Sequence, residues 1–210
     1  MNIKKISLGV AVSVALVTSS VAMANTKATT GIVVGGQLGY SFLDSYPDKF
    51  FAGTKSLKKE HFAWGLYAGY DYAFSDVMKA GLELGYDSDG VAKYGSDGKI
   101  NISEISLMLT GAYVDPTGFN VFGKLGATRV TEDFKDSSIV TSDLDEIAPK
   151  IVVGVGYEVM DNLNVYVSYG HIFAKGKSYL QGTPPSDKKL DKPQSNDRIM
   201  AGVSYTIPME

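Results

Sequence analysis

The stretch Lys79–Asp87 alternates two kinds of residue. Ala80, Leu82, Leu84 and Tyr86 make one set; Lys79, Gly81, Glu83, Gly85 and Asp87 make the other. A period of two is that of a β-strand with two different faces. One face is apolar and ends in a tyrosine. The other mixes glycine with charge, which no dry protein core would choose. The narrow, polar inside of a small membrane barrel suits it, with the apolar face turned to lipid. Much of the chain repeats this design.

The first residues follow a different logic. Met1–Lys5 carries Lys4 and Lys5, Ile6 to Val21 is apolar and small, and Ala22-Met23-Ala24 is a small-x-small cleavage site. Residues 1–24 therefore read as a secretory signal peptide, cut before Asn25, with 25–210 as a single outer-membrane barrel domain. As a membrane anchor the run is short, and Ser13, Thr18, Ser19 and Ser20 break it. The formal charge of −3 becomes −5 once Lys4 and Lys5 are removed, which argues against a nucleic-acid partner. With no cysteine, disulfides and thiolate metal sites are excluded. No second apolar run of spanning length follows. An exported chain that belongs in a membrane without spanning helices has to close a barrel.

Eight strand-like segments follow, each about the ~10 residues that cross a bilayer when tilted. They are Gly31–Phe42, Phe62–Phe74, Val77–Asp87, Ile102–Tyr113, Phe119–Val130, Ala148–Glu158, Leu163–Phe173 and Arg198–Ile207. Short turns join the second to the third (Ser75-Asp76), the fourth to the fifth (Val114 to Gly118) and the sixth to the seventh (Val159 to Asn162). The other connections, Leu43–His61, Ser88–Asn101, Thr131–Ile147 and Ala174–Asp197, are long and polar. Turns at one end and loops at the other define an all-β fold, an eight-stranded antiparallel up-and-down transmembrane β-barrel with its loops outside the cell.

Tyrosine positions follow strand direction. Tyr40, Tyr86 and Tyr169 fall at the far ends of strands one, three and seven; Tyr70, Tyr113, Tyr157 and Tyr205 at the far ends of strands two, four, six and eight. All lie on the apolar parity. They predict two aromatic girdles, one at each membrane interface.

The segments Gly36-Gln37-Leu38-Gly39-Tyr40, Leu66-Tyr67-Ala68-Gly69-Tyr70, Leu82 to Asp87, Lys124-Leu125-Gly126 and Gly202-Val203-Ser204-Tyr205 resemble the transmembrane domain of OmpA-type outer-membrane proteins. The resemblance runs strand for strand over residues 25–210. It implies a surface or structural role in the bacterial outer membrane, with outer-membrane lipid and lipopolysaccharide as surroundings and no enzymatic activity. It leaves out the family's peptidoglycan-binding domain, since the sequence stops after strand eight. The last strand, Met200 to Ile207, looks like the signal read by the barrel-assembly machinery, with Pro208-Met209-Glu210 in place of the usual terminal aromatic. Smaller barrels of the OmpX and opacity type, often adhesins that bind a host or surface ligand through their loops, share the architecture. A small porin-like channel and a lipid-modifying enzyme are the alternatives.

Strand parity puts Asp71, Lys79, Glu83, Glu104, Lys124, Lys150, Glu158 and Arg198 inside, with Tyr67, Phe122, Met108, Tyr166 and Met200. Eight strands leave a lumen that side chains can fill, and charges buried there must pair. In the OmpA family an acid matching Glu83 pairs with bases on strands four and seven. Those positions read Thr110 and Tyr166, so the resemblance leaves Lys124 or Arg198 as the partner. Asp87, Asp89 and Asp97 read as turn-forming Asp-Gly pairs, because the register of a calcium loop is missing. His61 and His171 read as interface polar groups. The lipid A deacylases carry a serine two residues after a strand histidine, where this chain has Phe173. No catalytic residue, metal site or cofactor is expected.

Overall fold

The computed structural model describes residues 26–43, 60–94, 98–135, 144–174 and 195–209. Residues 1–24, read above as a signal peptide, lie outside them. So do Asp97 and most of the connections Leu43–His61 and Ala174–Asp197.

Eight strands form: β1 Gly31–Leu43, β2 Glu60–Ala73, β3 Met78–Tyr94, β4 Gly98–Val114, β5 Phe119–Lys135, β6 Leu144–Met160, β7 Leu163–Ile172 and β8 Asn196–Pro208. Each pairs antiparallel with its sequence neighbours, and β1 closes on β8 from Gly31↔Pro208 to Leu43↔Asn196. Closure leaves the sheet without a free edge strand, the condition for a sheet in lipid.

The short turns sit together at one end. In the β4–β5 turn, Thr117 donates from its backbone N–H and its hydroxyl to Asp115 Oδ1 (2.9 and 2.6 Å), which holds the Asp115 carboxyl below the usual range. Gly118 (φ 93°) there and Asn162 (φ 65°) in the β6–β7 turn take the left-handed backbone that tight turns require. Residues 26–30 run across this end ahead of β1: the Thr26 N–H donates to the Pro116 carbonyl (3.2 Å) and the Ala28 N–H to the Asp76 carbonyl (2.8 Å).

At the other end the strands outrun the sequence reading. The sequence predicts loops over Ser88–Asn101 and Thr131–Ile147. Instead β3 reaches Tyr94 and β4 starts at Gly98, while β5 reaches Lys135 and β6 starts at Leu144. A register shift between Ser88 and Val91 marks a bulge at Asp89-Gly90, so this Asp-Gly pair bends a strand without ending it.

The outer face carries the apolar parity. Leu38, Leu66, Leu84, Leu107 and Leu125 are all more than half exposed, Leu125 at 61%. So continuous an apolar band has a physical home only against hydrocarbon. Tyr40 and Tyr169 flank Ile199 at the loop end, and Trp64 packs on Tyr86 with ring centroids 5.8 Å apart. Tyr70, Tyr113 and Tyr205 are exposed at the turn end, joined by Tyr72, Phe74 and Phe119; Tyr157 is half-buried there.

Candidate functional site in the barrel lumen

The inner face is lined by two separate sets of charges with an aromatic layer beside the lower one. Toward the loop end, Arg198 on β8 reaches three carboxylates. Its Nη2 lies 2.7 Å from Asp89 Oδ2, and its Nη1 lies 3.5 Å from Asp87 Oδ2 and hydrogen-bonds Glu104 Oε1. Lys150 on β6 bridges the same acids, 3.0 Å from Asp87 Oδ2 and in contact with Glu104 Oε1. Neutral groups complete the set: Gln37 Nε2 donates to Asp87 Oδ1 (2.6 Å), Asn196 Nδ2 to Asp89 Oδ2 (2.6 Å), and the Thr128 hydroxyl to Glu104 Oε2 (3.2 Å). All five charged side chains are buried. Gly65 makes room for this lock, since a Cβ there would strike the Asp87 carboxylate.

Midway down, Lys124 on β5 crosses the lumen to Glu83 on β3, with Nζ 2.8 and 2.7 Å from the two carboxylate oxygens. Its ammonium sits over the Tyr67 ring, 4.4 Å from the centroid. Tyr67, Tyr166 and Phe122 pack together, with Phe122 and Tyr166 edge to face at 5.4 Å. These rings explain glycines on the inner parity: Tyr67 lies against Gly35 and Tyr166 against Gly202, where any Cβ would collide. Nearer the turns, Lys79 pairs with Asp71 (3.1 Å), and Thr110 donates to the same carboxyl (3.1 Å). A cavity of about 70 Å³ lies in this lower half, bounded by both lower ion pairs, Asn120, Asn164 and Glu158.

The structure thus places Asp71, Lys79, Glu83, Glu104, Lys124 and Arg198 in the lumen, but in separate groups. Of the two cations considered for Glu83, Lys124 takes it, and Arg198 serves the loop-end lock. Thr110 and Tyr166 go elsewhere, Thr110 to Asp71 and the Tyr166 hydroxyl to Gln37 Oε1 (3.3 Å). Asp87 and Asp89 correct the turn reading. They are buried and ion-paired, so the interior holds two more acids than the balanced set read from parity. Outside the barrel, His171 Nδ1 lies 2.7 Å from Asp197 Oδ1, which also accepts from the Tyr169 hydroxyl (2.6 Å). The ring beside His171 is Phe173, at 4.3 Å, which offers no nucleophile. No metal-binding group of three or more His, Cys, Asp or Glu occurs among the described residues.

A closed eight-stranded barrel with an apolar belt outside and paired charges inside is an integral β-barrel of the bacterial outer membrane. The chain belongs to the family described as "outer membrane protein beta-barrel domain", whose pattern it matches over residues 10–206. It is 27% identical to outer membrane protein P5 of Haemophilus influenzae over 212 aligned positions, which take in 85% of this chain and 60% of P5. The chain therefore spans somewhat less than two thirds of the curated relative it matches, and the OmpA-type resemblance holds over that part. Among solved structures, it shares its fold with Ail, the attachment invasion locus protein of Yersinia pestis (TM-score 0.56, 14% identity, 87% of this chain and 100% of that one). It likewise resembles neisserial surface protein A (TM-score 0.57, 11% identity, 86% of this chain and 100% of that one).

Proposed function

We propose that this protein is a plugged barrel whose working surface is the set of connections at its loop end, held outside the cell. A leader, residues 1–24, is removed on export, and β8 is the strand offered to the barrel-assembly machinery. The observation that carries this reading is the interior: Arg198, Lys150, Asp87, Asp89 and Glu104 are buried and ion-paired across the path that a solute would take. With transport shut off, the exposed features that remain are the lipid belt and the loop end. Loops on a rigid scaffold are where such folds carry recognition. Ail, on the same architecture, has been crystallised with the heparin analogue sucrose octasulfate, a precedent for a surface ligand. Lipopolysaccharide surrounds the loop end in this reading. The role in this reading is non-enzymatic: among the described residues His171 and the Tyr169 hydroxyl both turn to the Asp197 carboxylate, and no serine stands beside the histidine.

The orientation is directly testable. Epitope tags at Lys55 and Lys188, both outside the described residues, are expected to bind antibody on intact cells, while a tag at Thr117 binds only after permeabilisation. The reverse pattern would overturn the surface role.

A further inference from the structure

The short-turn end of the barrel is crossed by the five residues Thr26–Thr30. They start at the β4–β5 turn, where the Thr26 N–H donates to Pro116 O. They pass the β2–β3 turn, where the Ala28 N–H donates to Asp76 O (2.8 Å) and Lys27 Nζ lies 3.0 Å from Asp76 Oδ2. They end between β2 and β8: Thr30 Oγ1 accepts from the Ala73 N–H (2.9 Å), and its carbonyl accepts from the Met209 N–H (3.0 Å).

In a ring of eight strands the β4–β5 turn lies opposite β1. Four residue steps reach ~13–14 Å, close to the ~16 Å width of eight strands spaced ~4.8 Å and tilted ~40°. The segment therefore cuts across the mouth on the side of the β2–β3 turn, which holds it midway. Burial agrees with this path. Val114, the last residue of β4, belongs to the inner parity at the rim and is 1% exposed, and Thr26 is 9% exposed. Just inside lies the 70 Å³ cavity, lined by apolar groups such as Val114 and Phe122 and by Asn120, Asn164, Glu158 and the lower ion pairs, with room for a few water molecules.

We propose that residues 26–30 are a strap that covers the turn-end mouth and closes the polar vestibule below the Glu83–Lys124 pair. The barrel is then shut twice, by buried charge toward the loops and by backbone at the turns. That the covered mouth faces the periplasm rests on the orientation proposed above; the closure itself does not.

The protein has no cysteine, so one introduced thiol reports alone. Ser204 lines the vestibule and Thr117 lies exposed in a turn. In detergent, Ser204→Cys is expected to react with a charged, water-soluble thiosulfonate at least ~10-fold more slowly than Thr117→Cys, because a covered thiol reacts only while its cover is open. Adding Thr26→Pro and Ala28→Pro removes the two N–H donors that tether the strap, and should bring Ser204→Cys to within about threefold of Thr117→Cys. Retained heat-dependent gel mobility shows that the barrel is folded. Should the proline variant not fold, Lys27→Ala with Thr30→Val removes the side-chain ties and is expected to speed labelling by a smaller factor. Fast labelling of Ser204→Cys with the strap intact, or no acceleration in either tether variant, overturns the proposal. Either failure leaves the loop-surface reading standing, since labelling in detergent does not depend on orientation.

Discussion

Arg198→Ala is expected to destabilise the barrel by ~3–5 kcal/mol, the usual cost of stranding buried partners of a removed charge. Arg198 is 3% exposed and contacts Asp87, Asp89 and Glu104. Without it, Asp87 and Glu104 are left to share Lys150, and Asp89 loses its ion-pair partner. Among the described residues Asp89 then keeps the Asn196 amide and the nearby His61 ring, in a site that water does not readily reach. Urea unfolding in lipid vesicles measures the loss. The natural comparison is Arg129, also ion-paired, to Asp145 at 2.5 Å, but largely exposed. Exposed pairs contribute little because water and salt screen them. Equal effects from Arg198→Ala and Arg129→Ala would show that the lock is not a buried network.

Leu84→Arg should cost ~2–4 kcal/mol, the range for a cation facing lipid near the bilayer midplane. Leu84 is 58% exposed on the outer face, flanked in register by Ala68 and Leu107. A suitable lumen control is Ala112→Ser, because Ala112 borders the cavity and a hydroxyl there finds polar company. Gly81, though on the inner parity, is unsuitable: a Cβ would run into the Tyr70 carbonyl and the Asp71 carboxylate. Unfolding of both variants in the same lipid gives the comparison. If Leu84→Arg is as well tolerated as Ala112→Ser, the outer face does not meet hydrocarbon.

Within the bilayer the sequence is legible because each strand separates two solvents. Lipid on one side and lumen on the other impose strict alternation, so the parity of Leu82, Glu83 and Leu84 can be read directly. Beyond the bilayer both faces of a strand meet water, and the alternation fades. That is why Thr131–Lys135 and Leu144–Ile147 resemble loop in sequence yet continue the β5–β6 hairpin. Asp89-Gly90 misleads for a related reason, since a bulge and a turn ask for the same residues. Asp87 falls on the inner face by alternation, but with Asp89 and Asp97 it also matches turn chemistry, and the two signals conflict. The partner of Glu83 was beyond parity altogether. Glu83 stands opposite Met108, and Met108 opposite Gly126, so Lys124 is offset by two residues along β5. Which cation reaches Glu83 depends on strand tilt and stagger, which one-dimensional periodicity does not contain.

Planar-bilayer recording of the folded protein shows whether the lumen is shut by paired charge. The wild type is expected to stay closed, with rare and brief openings. Glu83→Ala, which leaves Lys124 without its carboxylate beneath the Tyr67, Tyr166 and Phe122 rings, is expected to make openings more frequent. A large, steady conductance in the wild type, unchanged by Glu83→Ala, would mean a water-filled lumen and would contradict the account.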